Sequence, residues 1–115
     1  MEEIDIFASL QQENLFELFK SQLKKDFEGA GANADFTAQL PAGFDALKAA
    51  LVEVLNPLAQ QATALPSLLY RVDISEQQLH KYQQAHPQLS FEEMIAELII
   101  KRVLQKVILR KTFSK

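Results

Sequence analysis

Between Ser90 and Lys111 the chain reads SFEEMIAELIIKRVLQKVILRK, and at 100° per residue its apolar side chains divide into two groups. Phe91, Met94, Ile95, Leu98 and Leu109 fall on one side, Ile100, Val103 and Val107 nearly opposite, with Leu104 and Ile108 between them. A surface helix normally carries one apolar stripe. The spacing therefore predicts a long helix over about 91–112 that either sits at the centre of a bundle or divides its apolar surface between the chain's own core and a second molecule. Its start is marked twice: Ser90 is a capping residue, and Glu93 stands where it can reach back to the Ser90 amide.

Weaker patterns precede it. Leu15, Phe16, Phe19, Leu23 and Phe27 follow helical spacing and predict one helix over Ile4–Phe27, starting at Asp5 or at Ser9 with Gln12, and closed by a left-handed Gly29. Residues 29–43, GAGANADFTAQLPAG, hold all three glycines and predict a flexible loop, anchored by Phe36 and Leu40 and capable of serving as a lid. Phe44, Leu47, Leu51, Val54 and Leu58 then step by three and four, the seam of a second helix, which Pro57 is expected to kink or break at Asn56. A third helix over 58–64 is expected to end at Pro66. Residues 68–74, LLYRVDI, satisfy both periods. The reading favoured is a helical turn running into an extended link, the alternative a strand paired across a dimer. Ser75 with Gln78 begins a fourth helix with a thin face of Leu79, Tyr82 and Ala85, stopped by His86-Pro87, and Leu89 is placed to staple onto Met94. Together these elements predict a single all-α domain over 1–115, a bundle of four or five helices with the C-terminal helix as its central element.

Composition narrows the function classes. The 115 residues contain no cysteine, which excludes disulfides, thiolate metal sites and cysteine nucleophiles. The opening MEEIDIF lacks the basic and apolar regions of a secretion signal, and no apolar run reaches the roughly 18 residues of a membrane span. A soluble cytoplasmic protein without a membrane partner is expected. The net charge of −3 hides an asymmetry: residues 1–100 hold six Lys/Arg against fifteen Asp/Glu, and residues 101–115 hold six Lys/Arg and no acid. Within that end Arg102, Lys106 and Arg110 form a like-charged ladder at i, i+4 spacing, flanked by Lys101, Lys111 and Lys115, and such neighbours repel. The helix dipole, acids elsewhere in the chain, or an external polyanion would offset that repulsion.

Chemistry has little foothold. His80 lies one turn after Glu76, an arrangement that suits an exposed pair better than a metal site, and Gln77 and Gln83 stand where a helical di-iron motif needs Glu. His86 fits a helix end, and Glu92, Glu93 and Glu97 fit the first turns of a long helix, where its dipole favours negative charge. Gly29-Ala30-Gly31 lacks the third glycine of a dinucleotide fingerprint. No catalytic, cofactor-binding or metal-binding residue is assigned, and no cofactor is expected. The function expected is that of a non-enzymatic interaction protein, a homodimer or a subunit with another protein, joined through Ile100, Val103, Leu104 and Val107. Two alternatives stand beside it. One is binding of nucleic acid or an acidic partner through Lys101, Arg102, Lys106, Arg110 and Lys111, with aromatic support limited to Phe113. The other is a small-molecule binder with the 29–43 loop as its lid.

Overall fold

Phe19, Leu23 and Phe27, on one face of the first long helix, have no exposed surface and belong to a single buried cluster that draws on residues from Leu10 to Leu104. The structure, a computed structural model, describes residues 6–113, without the side chains of Phe7, Thr112 and Phe113. It contains six α-helices among these residues: α1 (Ile6–Gln11), α2 (Glu13–Gly29), α3 (Phe44–Ala59), α4 (Ala64–Val72), α5 (Glu76–Ala85) and α6 (Phe91–Phe113), with a 3₁₀ segment at Asp35–Gln39. No strand occurs among them. The fold is the predicted all-α bundle, and α6 is its hub, packing against each of the other five α-helices.

Ser90 accepts from the Glu93 amide while Glu93 Oε1 accepts from the Ser90 amide, so the expected capping box opens α6. Ser75 and Gln78 open α5 in the same way. The single first helix is interrupted. Gln12 is extended and separates α1 from α2. A straight helix would place residues 10 and 15 about 140° apart, and the break lets Leu10 and Leu15 both reach the core. Of the two start positions predicted there, Ser9 lies inside α1 and Asp5 lies outside the described residues.

Three expectations about helix ends are corrected. Gly29 is the last residue of α2, not its left-handed terminator; that role falls to Gly31 at φ 81, with Gly31 N–H donating to the Glu28 carbonyl and Ala32 N–H to that of Phe27. Pro57 does not break α3, which runs on to Ala59. Proline forfeits one helical donor bond, and Glu53, Asn56 and Pro57 all face solvent, where an unpaired carbonyl costs little. Pro66 does not end a helix but lies in the first turn of α4, where an amide would have no intrahelical acceptor.

Residues 68–74 follow the favoured reading, helical to Val72 and extended beyond Asp73. Asp73 is left-handed at φ 73 and closes α4, its amide donating to Tyr70 and that of Ile74 to Leu69. The 29–43 segment, expected to be a flexible loop with Phe36 and Leu40 as anchors, is tied to the core at several positions. Ala34, Thr37 and Leu40 are buried, Phe36 meets Phe27 edge to face at 4.9 Å, and Thr37 Oγ1 donates to the Ala34 carbonyl.

Candidate functional site

The apolar quartet assigned to a partner is the chain's own core. Ile100, Val103 and Leu104 are 0% exposed and Val107 is 4% exposed, so these side chains are covered from within, while the other stripe buries Met94, Ile95 and Leu98 but not its ends, Phe91 and Leu109. The physical reason is its central position: α2 and α3 pack on it most extensively, with α1, α4 and α5 around them. What α6 leaves at the surface is Phe91, Leu109 and its charges.

The ladder divides into two parts. Lys106 Nζ donates to Asp26 Oδ2 at 3.1 Å and to the Arg71 carbonyl at 2.8 Å, while Gln22 Nε2 donates to Asp26 Oδ1 at 3.0 Å. Asp26 is 3% exposed, so this lysine neutralises a buried carboxylate. Arg102 donates to Asp73 Oδ2 at 2.6 Å and to Gln105 Oε1 at 3.0 Å. Its guanidinium holds the Asp73 carboxyl below the usual range, chiefly by that hydrogen bond. Arg102 and Lys106 are thus internal struts.

Arg110 and Lys111 have no carboxylate partner among the described residues. With Lys25 of α2 they rim a groove of about 320 Å³ between α2 and the C-terminal half of α6. Leu18, 42% exposed, and Val107 give it an apolar floor, and no acid lines it. Gln22 also lines it, 8% exposed, with Oε1 lacking any hydrogen-bond partner because its amide nitrogen is committed to Asp26. Lys101 faces the other side of α6, where a second cleft opens toward α5. Lys115 and the Phe113 side chain lie outside what the structure describes.

A second, partly buried network was not anticipated. Glu97 accepts from Lys48 Nζ at 3.0 Å and from the Tyr82 hydroxyl at 2.5 Å, tying α3 and α5 to α6. Burial, then the bond to Glu97, pushes the Tyr82 hydroxyl well above its ordinary value. The same carboxylate raises Lys48, mainly through its hydrogen bond. Glu93 is lowered by the Ser90 amide it accepts from. The one available signal was the position of Glu97 next to Leu98 and one turn after Met94 and Glu93, on the edge of the apolar stripe. His80 is exposed, and His86 stacks at a tilt against Tyr82, 4.3 Å between ring centres. Among the described residues no group of three or more His, Asp or Glu is placed to hold a metal ion, and no helix is long and apolar enough to cross a membrane.

Comparison with family models, with curated proteins and with solved structures gives no match.

Proposed function

We propose that the protein is a non-enzymatic interaction module that engages an acidic protein partner through the groove between α2 and the C-terminal half of α6. The observation that carries this reading is the concentration there of Lys25, Arg110 and Lys111, three cations without internal carboxylate partners, around exposed Leu18. Like charges held together without internal neutralisation attract a partner of opposite sign and steer its approach. Self-association through Ile100, Val103, Leu104 and Val107 has lost its motivation, since those side chains are already covered.

A protein partner fits better than nucleic acid. The groove has an apolar floor and no aromatic side chain on which a base would stack, and the net charge of −3 opposes a polyphosphate. The test is amide chemical-shift mapping with a helical peptide carrying Glu on one face and Leu on the other, beside heterogeneous duplex DNA. The peptide is expected to shift Leu18–Lys25 and Val107–Lys111 saturably, and less so as salt screens the charges over the roughly 10 Å Debye length at 0.1 M. Tighter binding of DNA at the same residues would move the assignment to nucleic acid. No saturable shift with either would overturn it.

A further inference from the structure

We propose that the cleft between α5 and α6 is a binding site for a small organic anion, a carboxylate with an apolar body; this site is separate from the α2–α6 groove. Among the described residues, two buried side-chain polar atoms lack a hydrogen-bond partner. Gln22 Oε1 belongs to the groove already discussed. The other is Arg102 Nε, and Arg102 lines this second cleft, also about 320 Å³ in volume.

The charges of the cleft point one way. Lys81 of α5 and Lys101 of α6 line it together with Arg102, and no carboxylate does. Two acids bonded to lining residues are spoken for: Asp73 accepts from Arg102, and Glu97 accepts from Lys48 and Tyr82. Lys81 and Lys101 have no ion-pair partner among the described residues. Gln78 and Gln105 add amide donors at the rim, while Ile74, Ala85 and Leu98 form an apolar wall. A bare inorganic anion would leave that wall wet, and a neutral hydrocarbon would leave the cations without a partner.

The helix that forms one side has little other structural work. α5 buries none of its residues completely and, among the elements, packs against α6 alone. Its hold on the bundle is the Tyr82 hydroxyl bond to Glu97, with Leu79 and Tyr82 partly buried. The cleft volume lies at the lower end of the roughly 300–1,000 Å³ typical of ligand pockets, which suits a molecule of about ten non-hydrogen atoms.

Octanoate is the probe, with octanol and inorganic phosphate as the arms lacking charge or apolar body. The protein contains two tyrosines, Tyr70 and Tyr82. Tyr82 lines the cleft and Tyr70 is 85% exposed outside it. Tyr70→Phe therefore leaves Tyr82 as a single fluorescent reporter. Octanoate is expected to change its emission saturably in the millimolar range or below, with octanol and phosphate at least tenfold weaker. In the same background Lys81→Gln with Lys101→Gln should weaken octanoate on the order of tenfold, since a hydrogen bond to a charged group carries about that factor, with unchanged helical circular dichroism. Lys81 is exposed, so Lys81→Gln alone serves if the pair fails to fold. Equal binding of octanol would overturn the anion, equal binding of phosphate the apolar body. Absence of saturation, or indifference to the lysine substitutions, would overturn the site.

Discussion

Asp26 is held by two partners, Gln22 one turn earlier on α2 and Lys106 eighty residues away on α6. Its cation offsets the cost of burying the carboxylate, and removing one partner of a buried pair costs about 3–5 kcal/mol. Lys106 keeps some contact with water, which favours the lower end of that range. Lys106→Gln should therefore lower the unfolding free energy by about 3 kcal/mol in urea titration, and Asp26→Asn with Lys106→Gln should recover part of the loss. The Glu97 network gives a pH prediction of the opposite reach. Tyr82 and Lys48 are both raised in the folded protein, from ordinary values of 10.0 and 10.5. A group raised on folding contributes its full stability below its unfolded value and loses it as pH climbs through the folded one. Stability should thus hold to about pH 10 and then fall. Tyr82→Phe should cost about 1–2 kcal/mol at neutral pH, through the lost bond to a charged acceptor, yet flatten the alkaline decline, as urea titrations at successive pH values would record.

At the scale of elements, α4 depends on a left-handed residue that is not glycine. Asp73 accepts that conformation and also receives Arg102, so its backbone and its side chain do separate work. Asp73→Gly should keep the helix end and lose only an exposed ion pair, worth roughly 0–1 kcal/mol. Asp73→Ala loses the pair and keeps a β-carbon in the left-handed region, which Asp73→Gly removes, so it should be about 1 kcal/mol less stable than Asp73→Gly; the difference between the two variants in thermal unfolding checks the assignment. Signals that lie within a few residues were legible in the sequence. The Ser75–Gln78 and Ser90–Glu93 boxes, the helical reach of α6 and the turn after Val72 all depend on neighbours along the chain. What escaped depends on which way an element faces. Pro57 is harmless because it faces solvent and Pro66 because it lies in the first turn of its helix, and Gln12 breaks a helix so that Leu10 and Leu15 can share a core. For the same reason the ladder was visible as a row of charges but not as two struts and a free end. Its acids, Asp26 and Asp73, lie 80 and 29 residues from their partners.

The whole molecule measures 39 × 31 × 25 Å with a Cα radius of gyration of 13.5 Å, close to the roughly 13 Å expected for a folded chain of this length. The stripe of α6 formed by Ile100, Val103 and Val107 is absorbed inside it, so Val103→Glu should unfold the protein rather than yield a folded monomer, as an unpaired charge in the core costs more than about 4 kcal/mol; loss of the helical circular dichroism signal reports it. The central claim is that the basic end of α6 does two jobs, with Arg102 and Lys106 bracing the fold and Arg110 and Lys111, joined by Lys25, facing a partner. The most direct test compares two neutralised variants, one carrying Arg102→Gln and Lys106→Gln, the other Lys25→Gln, Arg110→Gln and Lys111→Gln, for stability in urea and for salt-dependent binding of the acidic amphipathic peptide. The first is predicted to lose about 3 kcal/mol or more of stability and, where still folded, to bind as before; the second is predicted to keep its stability within about 0.5 kcal/mol and to lose the binding. Unchanged stability in the first variant, or unchanged binding in the second, would contradict it.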